Sequence, residues 1–178
     1  MACCVDRCTN PLSLVTRLPN FDSDTLIGPV NISAATPATA TLINTLSLTR
    51  SYPDSDVLVE GVVEINFSGL AAAVALTGSI SVQLDVYRTS AIAGVPIYSI
   101  QKSIFTSPVA GVLLVAVPTT NEIPFQFTDS TALGLPDGAN PAEYYVRVSV
   151  VAGGALVLGA TTVNVVRSDA AASEEVVL

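Results

Sequence analysis

Histidine and tryptophan are absent from this 178-residue chain, and cysteine occurs only three times. The missing histidine removes the side chain that most often moves protons near neutral pH. Ser-His and Cys-His nucleophile pairs are thereby excluded. No nucleophile–base pair or metal set stands out, so the sequence reads as a non-enzyme with no cofactor. Charge is scarce as well: 12% of residues are charged, with 7 basic against 15 acidic, a formal net charge of −8. Nucleic acid is an unsuitable partner, because phosphate binding needs clustered Lys and Arg. Anionic membrane surfaces are disfavoured for the same reason. Apolar runs stop short of the ~20 residues a membrane helix requires. The N-terminus also lacks the basic start and apolar segment of a secretory signal.

What remains is unusually apolar. Half of the residues are hydrophobic and mean hydropathy is +0.59, an excess that points to burial between subunits. The length suits one domain with short extensions.

Residues 1–29 read as a connector arm and linker. Pro11, Pro19 and Pro29 punctuate it, and Asn20–Asp24 is a turn cluster. Leu12, Leu14, Val15 and Leu18 are apolar enough to dock on a partner. From residue 30 to 167 the text is β, with breakers roughly every ten residues. Over Asp56–Phe67 the side chains of Val57, Val59, Val63, Ile65 and Phe67 share one face, against Glu60, Glu64 and Asn66. Ile80, Val82, Leu84 and Val86 repeat the pattern, with Ser81, Gln83 and Asp85 outward, and Ile123, Phe125 and Phe127 share a face of a later strand. Leu70–Leu76 allows one helical turn, and Gly111–Pro118 suggests a strand buried on both faces. Gly153-Gly154 has the composition of a two-residue hairpin turn between strands over 143–152 and 156–167. Residues 168–178 read as an acidic tail. Together these predict an all-β, antiparallel jelly-roll sandwich of eight or nine strands with an extended N-terminal arm. An immunoglobulin-like sandwich fits the same pairing but lacks its Cys and Trp core.

All three cysteines, Cys3, Cys4 and Cys8, lie in the first eight residues. Structural zinc needs four N or S ligands in paired spacings, and the chain supplies three thiols with no histidine. Lipid attachment and idle reduced thiols are further readings. An odd count confined to one arm suggests pairing between chains. Asp22-Ser23-Asp24 and Asp54-Ser55-Asp56 each match a calcium-loop fragment and, more simply, turn chemistry. Glu60 and Glu64 stand ~13 Å apart on one strand face, too far for paired glycosidase carboxylates, which leaves a solvated or subunit-facing strand. Asn31-Ile32-Ser33 and Asn66-Phe67-Ser68 match the glycosylation acceptor pattern by chance.

The N-terminal Cys-Cys…Cys connector ahead of a Thr/Val-rich body resembles the subunits of bacterial endospore appendages, and more loosely the β-sandwich proteins of spore surfaces. Val59-Glu60-Gly61-Val62-Val63-Glu64-Ile65-Asn66-Phe67 and Tyr144-Tyr145-Val146-Arg147-Val148 share the look of those domains. The resemblance implies a fibre subunit, extracellular or on a spore surface. Its partners would be copies of itself and a coat anchor protein. Intersubunit disulfides would fall on Cys3, Cys4 and Cys8, although the body carries no cysteine to receive them. Two other readings share the fold. One is a trimeric binding module using Tyr52, Tyr87, Tyr98, Tyr144 or Tyr145 for carbohydrate, and the other a viral capsid or decoration protein.

Overall fold

Val57, Val59, Val63, Ile65 and Phe67 recur at alternate positions, with Glu60, Glu64 and Asn66 between them, and make Asp56–Ser68 a long strand with one dry face. Val57, Val59, Val63 and Ile65 are wholly inaccessible and Phe67 nearly so, while Glu60 is exposed. A computed structural model describes residues 20–32, 40–52, 54–68, 78–88, 94–107, 119–130, 134–135, 140–154 and 162–175. Among these the strands are β1 (Phe21–Ile32), β2 (Thr41–Leu48), β3 (Asp56–Ser68), β4 (Gly78–Arg88), β5 (Tyr98–Ser107), β6 (Thr119–Asp129), β7 (Ala142–Gly154) and β8 (Thr162–Glu175).

They form two four-stranded sheets, all pairs antiparallel, in the orders β1-β8-β3-β6 and β2-β7-β4-β5. First pairs with last, second with seventh, third with sixth and fourth with fifth. A long hairpin wrapped once on itself gives this nesting, which is the jelly roll expected from the sequence. Between the sheets, Val59, Ile65, Val82, Leu84, Ile123, Tyr144, Val146 and Val165 interdigitate in one core. Burying each large aliphatic side chain contributes roughly 1.5–3 kcal/mol.

Four expectations change. Residues 21–29, assigned to the arm, form most of β1, and residues 168–175, assigned to the acidic tail, complete β8. Residues 168–175 contain no strong β-former, and 21–29 include Asp22, Asp24, Gly28 and Pro29, which strands disfavour. Both segments are held because β8 lies between β1 and β3 and bonds to each. Gly153-Gly154 does not turn a hairpin. It extends β7 against Ser79 and Gly78, and the next strand belongs to the other sheet. On β4, Ser81 and Asp85 face away from the core yet are buried, Asp85 accepting from Ser99 Oγ at 2.6 Å and Gln83 Nε2 at 3.1 Å. The expected helical turn over Leu70–Leu76, the strand over Gly111–Pro118, and the arm residues Cys3, Cys4, Cys8, Leu12, Leu14, Val15 and Leu18 lie outside the described residues.

Candidate interaction surface

The register of the first sheet sets its outer face in rows. Ser23, Ala171, Glu60 and Gln126 lie side by side across all four strands, and Thr25, Asp169, Val62 and Pro124 form the next row. On this outer face Ser23, Thr25 and Ala171 carry short side chains. The sheet is therefore dished there, leaving a groove of ≈ 680 Å³. Its β1 rim carries Phe21, 65% exposed, and Ile27, 84% exposed. Both point outward because they share β1's face with Ser23 and Thr25.

The groove is acidic. Glu60 accepts from Gln126 Nε2 at 3.1 Å, and Asp169 pairs with Arg167 at 2.7 Å. Beyond Asp169, Glu64 stands opposite Glu122 on one side and Arg167 on the other. This row leaves more carboxylates than cations on the face. No cluster of three or more metal-binding side chains occurs among the described residues.

Both lateral openings of the sandwich are tied by side chains. On one side, Asp22 Oδ2 accepts from Ser47 N at 2.6 Å and Asp24 Oδ2 from Thr45 N at 2.9 Å. These carboxylates therefore fill donors on the free edge of β2 and have no need of calcium to be satisfied. On the other, Lys102 Nζ on β5 donates to the Glu122 carbonyl on β6. Edge strand β6 carries Pro124 at mid-length, and β1 slips register between Ile27 and Val30, at Gly28 (φ +117) and Pro29. Carboxylate caps, proline, lysine and bulges all discourage strand addition.

Two buried charge clusters flank Val57 at one end of the first sheet. The Glu174 carboxylate accepts from Tyr52 N at 2.8 Å, Asn20 N at 3.1 Å and Ser55 Oγ at 2.7 Å. Burial alone would raise its pKa, but these hydrogen bonds outweigh it and hold the carboxyl below its ordinary value. On the other side of Val57, Asp129 accepts from Arg88 Nη1 and from Tyr144 Oη at 3.0 Å. Its desolvation outweighs both partners and raises its pKa, while burial and the Asp129 charge push the Tyr144 phenol strongly up.

Among the tyrosines considered for carbohydrate, Tyr87 and Tyr144 are buried. The Tyr145 hydroxyl bonds Glu143 at 2.8 Å, and Tyr98 stacks on Phe127 with ring centroids 4.9 Å apart. Only Tyr98 borders the groove. Of the groove residues, sequence alternation marks Glu60. Ser23, Thr25, Pro124, Asp169 and Ala171 become neighbours only through strand order, which no local signal gives.

No family model matches this chain, and no curated protein does. Among solved structures it is similar to that of the Gx strain of infectious bursal disease virus, at 14% identity over 88% of this chain and 32% of that one, with a TM-score of 0.47. The Gt strain structure is 12% identical over 89% of this chain and 38% of that one, TM-score 0.40. The structure of T=1 particles derived from the same virus is 11% identical over 90% and 36%, TM-score 0.34. The chain spans about a third of the length of the structures it matches.

Proposed function

We propose that this chain is a structural subunit that assembles with copies of itself into a shell, as a wall or decoration protein. The observation that carries this reading is the outer face of the β1-β8-β3-β6 sheet. It exposes Phe21 and Ile27 beside a groove crossing four strands, on a chain that is half hydrophobic. Exposed apolar side chains bordering a polar groove are typical of contact surfaces. The body carries no cysteine, so its packing relies on surface complementarity.

A fibre on a spore or cell surface is the second reading, favoured by the cluster Cys3, Cys4 and Cys8 in the arm. Disulfides between arms would then lock copies together, with Leu12, Leu14, Val15 and Leu18 seated on neighbours. Sedimentation and negative-stain micrographs with and without reductant test both readings. Closed particles insensitive to reductant support the shell, and filaments that dissociate on reduction support the fibre. A protein that remains monomeric at every concentration overturns self-assembly.

A further inference from the structure

We propose that the groove across the β1-β8-β3-β6 sheet receives the Leu12–Leu18 segment of a second copy of this chain. This rests on the self-assembly reading and names the surface through which it acts. Charge favours that occupant. Of the chain's seven bases, only Arg7 and Arg17 precede the described residues. In the body, Arg88 bonds Asp129, Arg167 bonds Asp169, Lys102 bonds the Glu122 carbonyl, Arg50 is buried, and Arg147 stands opposite Asp85. The body is acidic, and the groove brings Glu60 and Asp169 together on its floor. Stacking two such faces against each other would place carboxylate on carboxylate, whereas Arg17 supplies the opposite sign.

Size agrees. Extended, seven residues span ~20 Å, and four strands at ~4.8 Å spacing present a face of about that width. In an extended segment Val15 and Arg17 share one side and Leu12, Leu14 and Leu18 the other. The side that turns Arg17 toward Glu60 and Asp169 sets Val15 over Val62, Pro124 and Ala171 in the same groove. Edge pairing is the rival geometry, and the Asp22 and Asp24 caps, Pro124 and the Gly28-Pro29 irregularity oppose it.

The donor is a neighbour. Within one chain only Pro19 separates Leu18 from Asn20, whose amide is held by Glu174. That leaves no residues for the reversal needed to lay Leu18 back over Ser23.

The test uses the full chain with Val15→benzoylphenylalanine, mixed equally from ¹⁵N-labelled and unlabelled preparations and irradiated. Crosslinks joining the arm to β8, β3 or β1 peptides of the other isotope are expected. Glu60→Lys should lower their yield at least ~10-fold, the order of one lost charge contact, and the added Arg17→Glu should restore it. Crosslinks to other surfaces, crosslinks within one isotope, or a yield indifferent to both charge reversals overturn the inference. Where sedimentation still shows assembly, those results leave the self-assembly reading standing. A wholly monomeric protein removes that reading as well.

Discussion

The Phe125 ring lies against Gly61 so closely that a methyl group added to the glycine would stand 2.6 Å from Cζ. The Asp169 carbonyl crowds the same position. The glycine is what lets β6 and β8 pack around β3 at the middle of the groove. Gly61→Ala forces backbone on one side and a core aromatic on the other. A loss of ~2–3 kcal/mol is expected, as for overpacked cores, measured by urea denaturation. A variant as stable as the parent would show that this contact relaxes freely.

Asp129→Asn removes the carboxylate whose two oxygens accept from Arg88 Nη1. The Arg88 and Asp129 side chains are only 13% and 1% exposed. Loss of one charge from a buried pair costs ~3 kcal/mol or more, seen as a lowered denaturation midpoint. The sign with pH follows from the raised pKa of Asp129. Protonation favours the folded state, so this contribution is present below the unfolded carboxyl pKa and is lost as pH rises through the raised folded value. The deficit of the variant is therefore largest in acid and smallest near neutrality.

Glu174→Gln tests the opposite sign. The folded pKa of Glu174 lies below its ordinary value. Its stabilisation is therefore present above the unfolded carboxyl pKa, about 4.3, and is lost as pH falls through the lowered folded value. The variant should be less stable at pH 7 by ~1–3 kcal/mol, the range for hydrogen bonds to a charged group. The two proteins should converge in strong acid. Equal pH profiles from denaturation at pH 7, 5 and 3 would remove Glu174 from the acid response.

Phe21→Ser combined with Ile27→Ser should leave monomer stability nearly unchanged, since exposed positions usually shift it by within ~0.5 kcal/mol. Self-association should weaken by at least ~10-fold, read by sedimentation equilibrium. Unchanged association would exclude the β1 rim from the contact.

The middle of the chain was legible because there the sequence and the sheets agree. From Val57 to Phe67 the buried side chains are the odd-numbered ones, and from Ile80 to Val86 the even-numbered ones form the core, although Ser81 and Asp85 are buried as well. The ends were not. Asp22 and Asp24 have the composition of a turn, and their reason for standing in a strand is the backbone of β2, a neighbour from the other sheet. Ala170, Ala171 and Ala172 have weak β-preference and are carried by partners on both sides. Gly153-Gly154 matches a hairpin turn locally, while Gly78 and Ser79 decide its actual pairing. The groove was the least legible feature, because its rows join residues from four strands. The sequence reading of Glu60 as solvated or subunit-facing is as far as a single strand could lead.

The pairing of β1 with β8 also governs when this domain can form. Asn20 and Glu174 are joined across 154 residues, and β8 alone connects β1 to the rest of its sheet. A growing chain still lacking β8 leaves β1 and one side of β3 without partners, so the sheet is completed only once β8 has been made. Such distant closure makes folding slow relative to domains built from local contacts. It also ties the receiving groove to synthesis of β8: Asp169 and Ala171, which form its floor, are made after the groove residues of β1, β3 and β6. A partly made subunit has no seat to offer a neighbour.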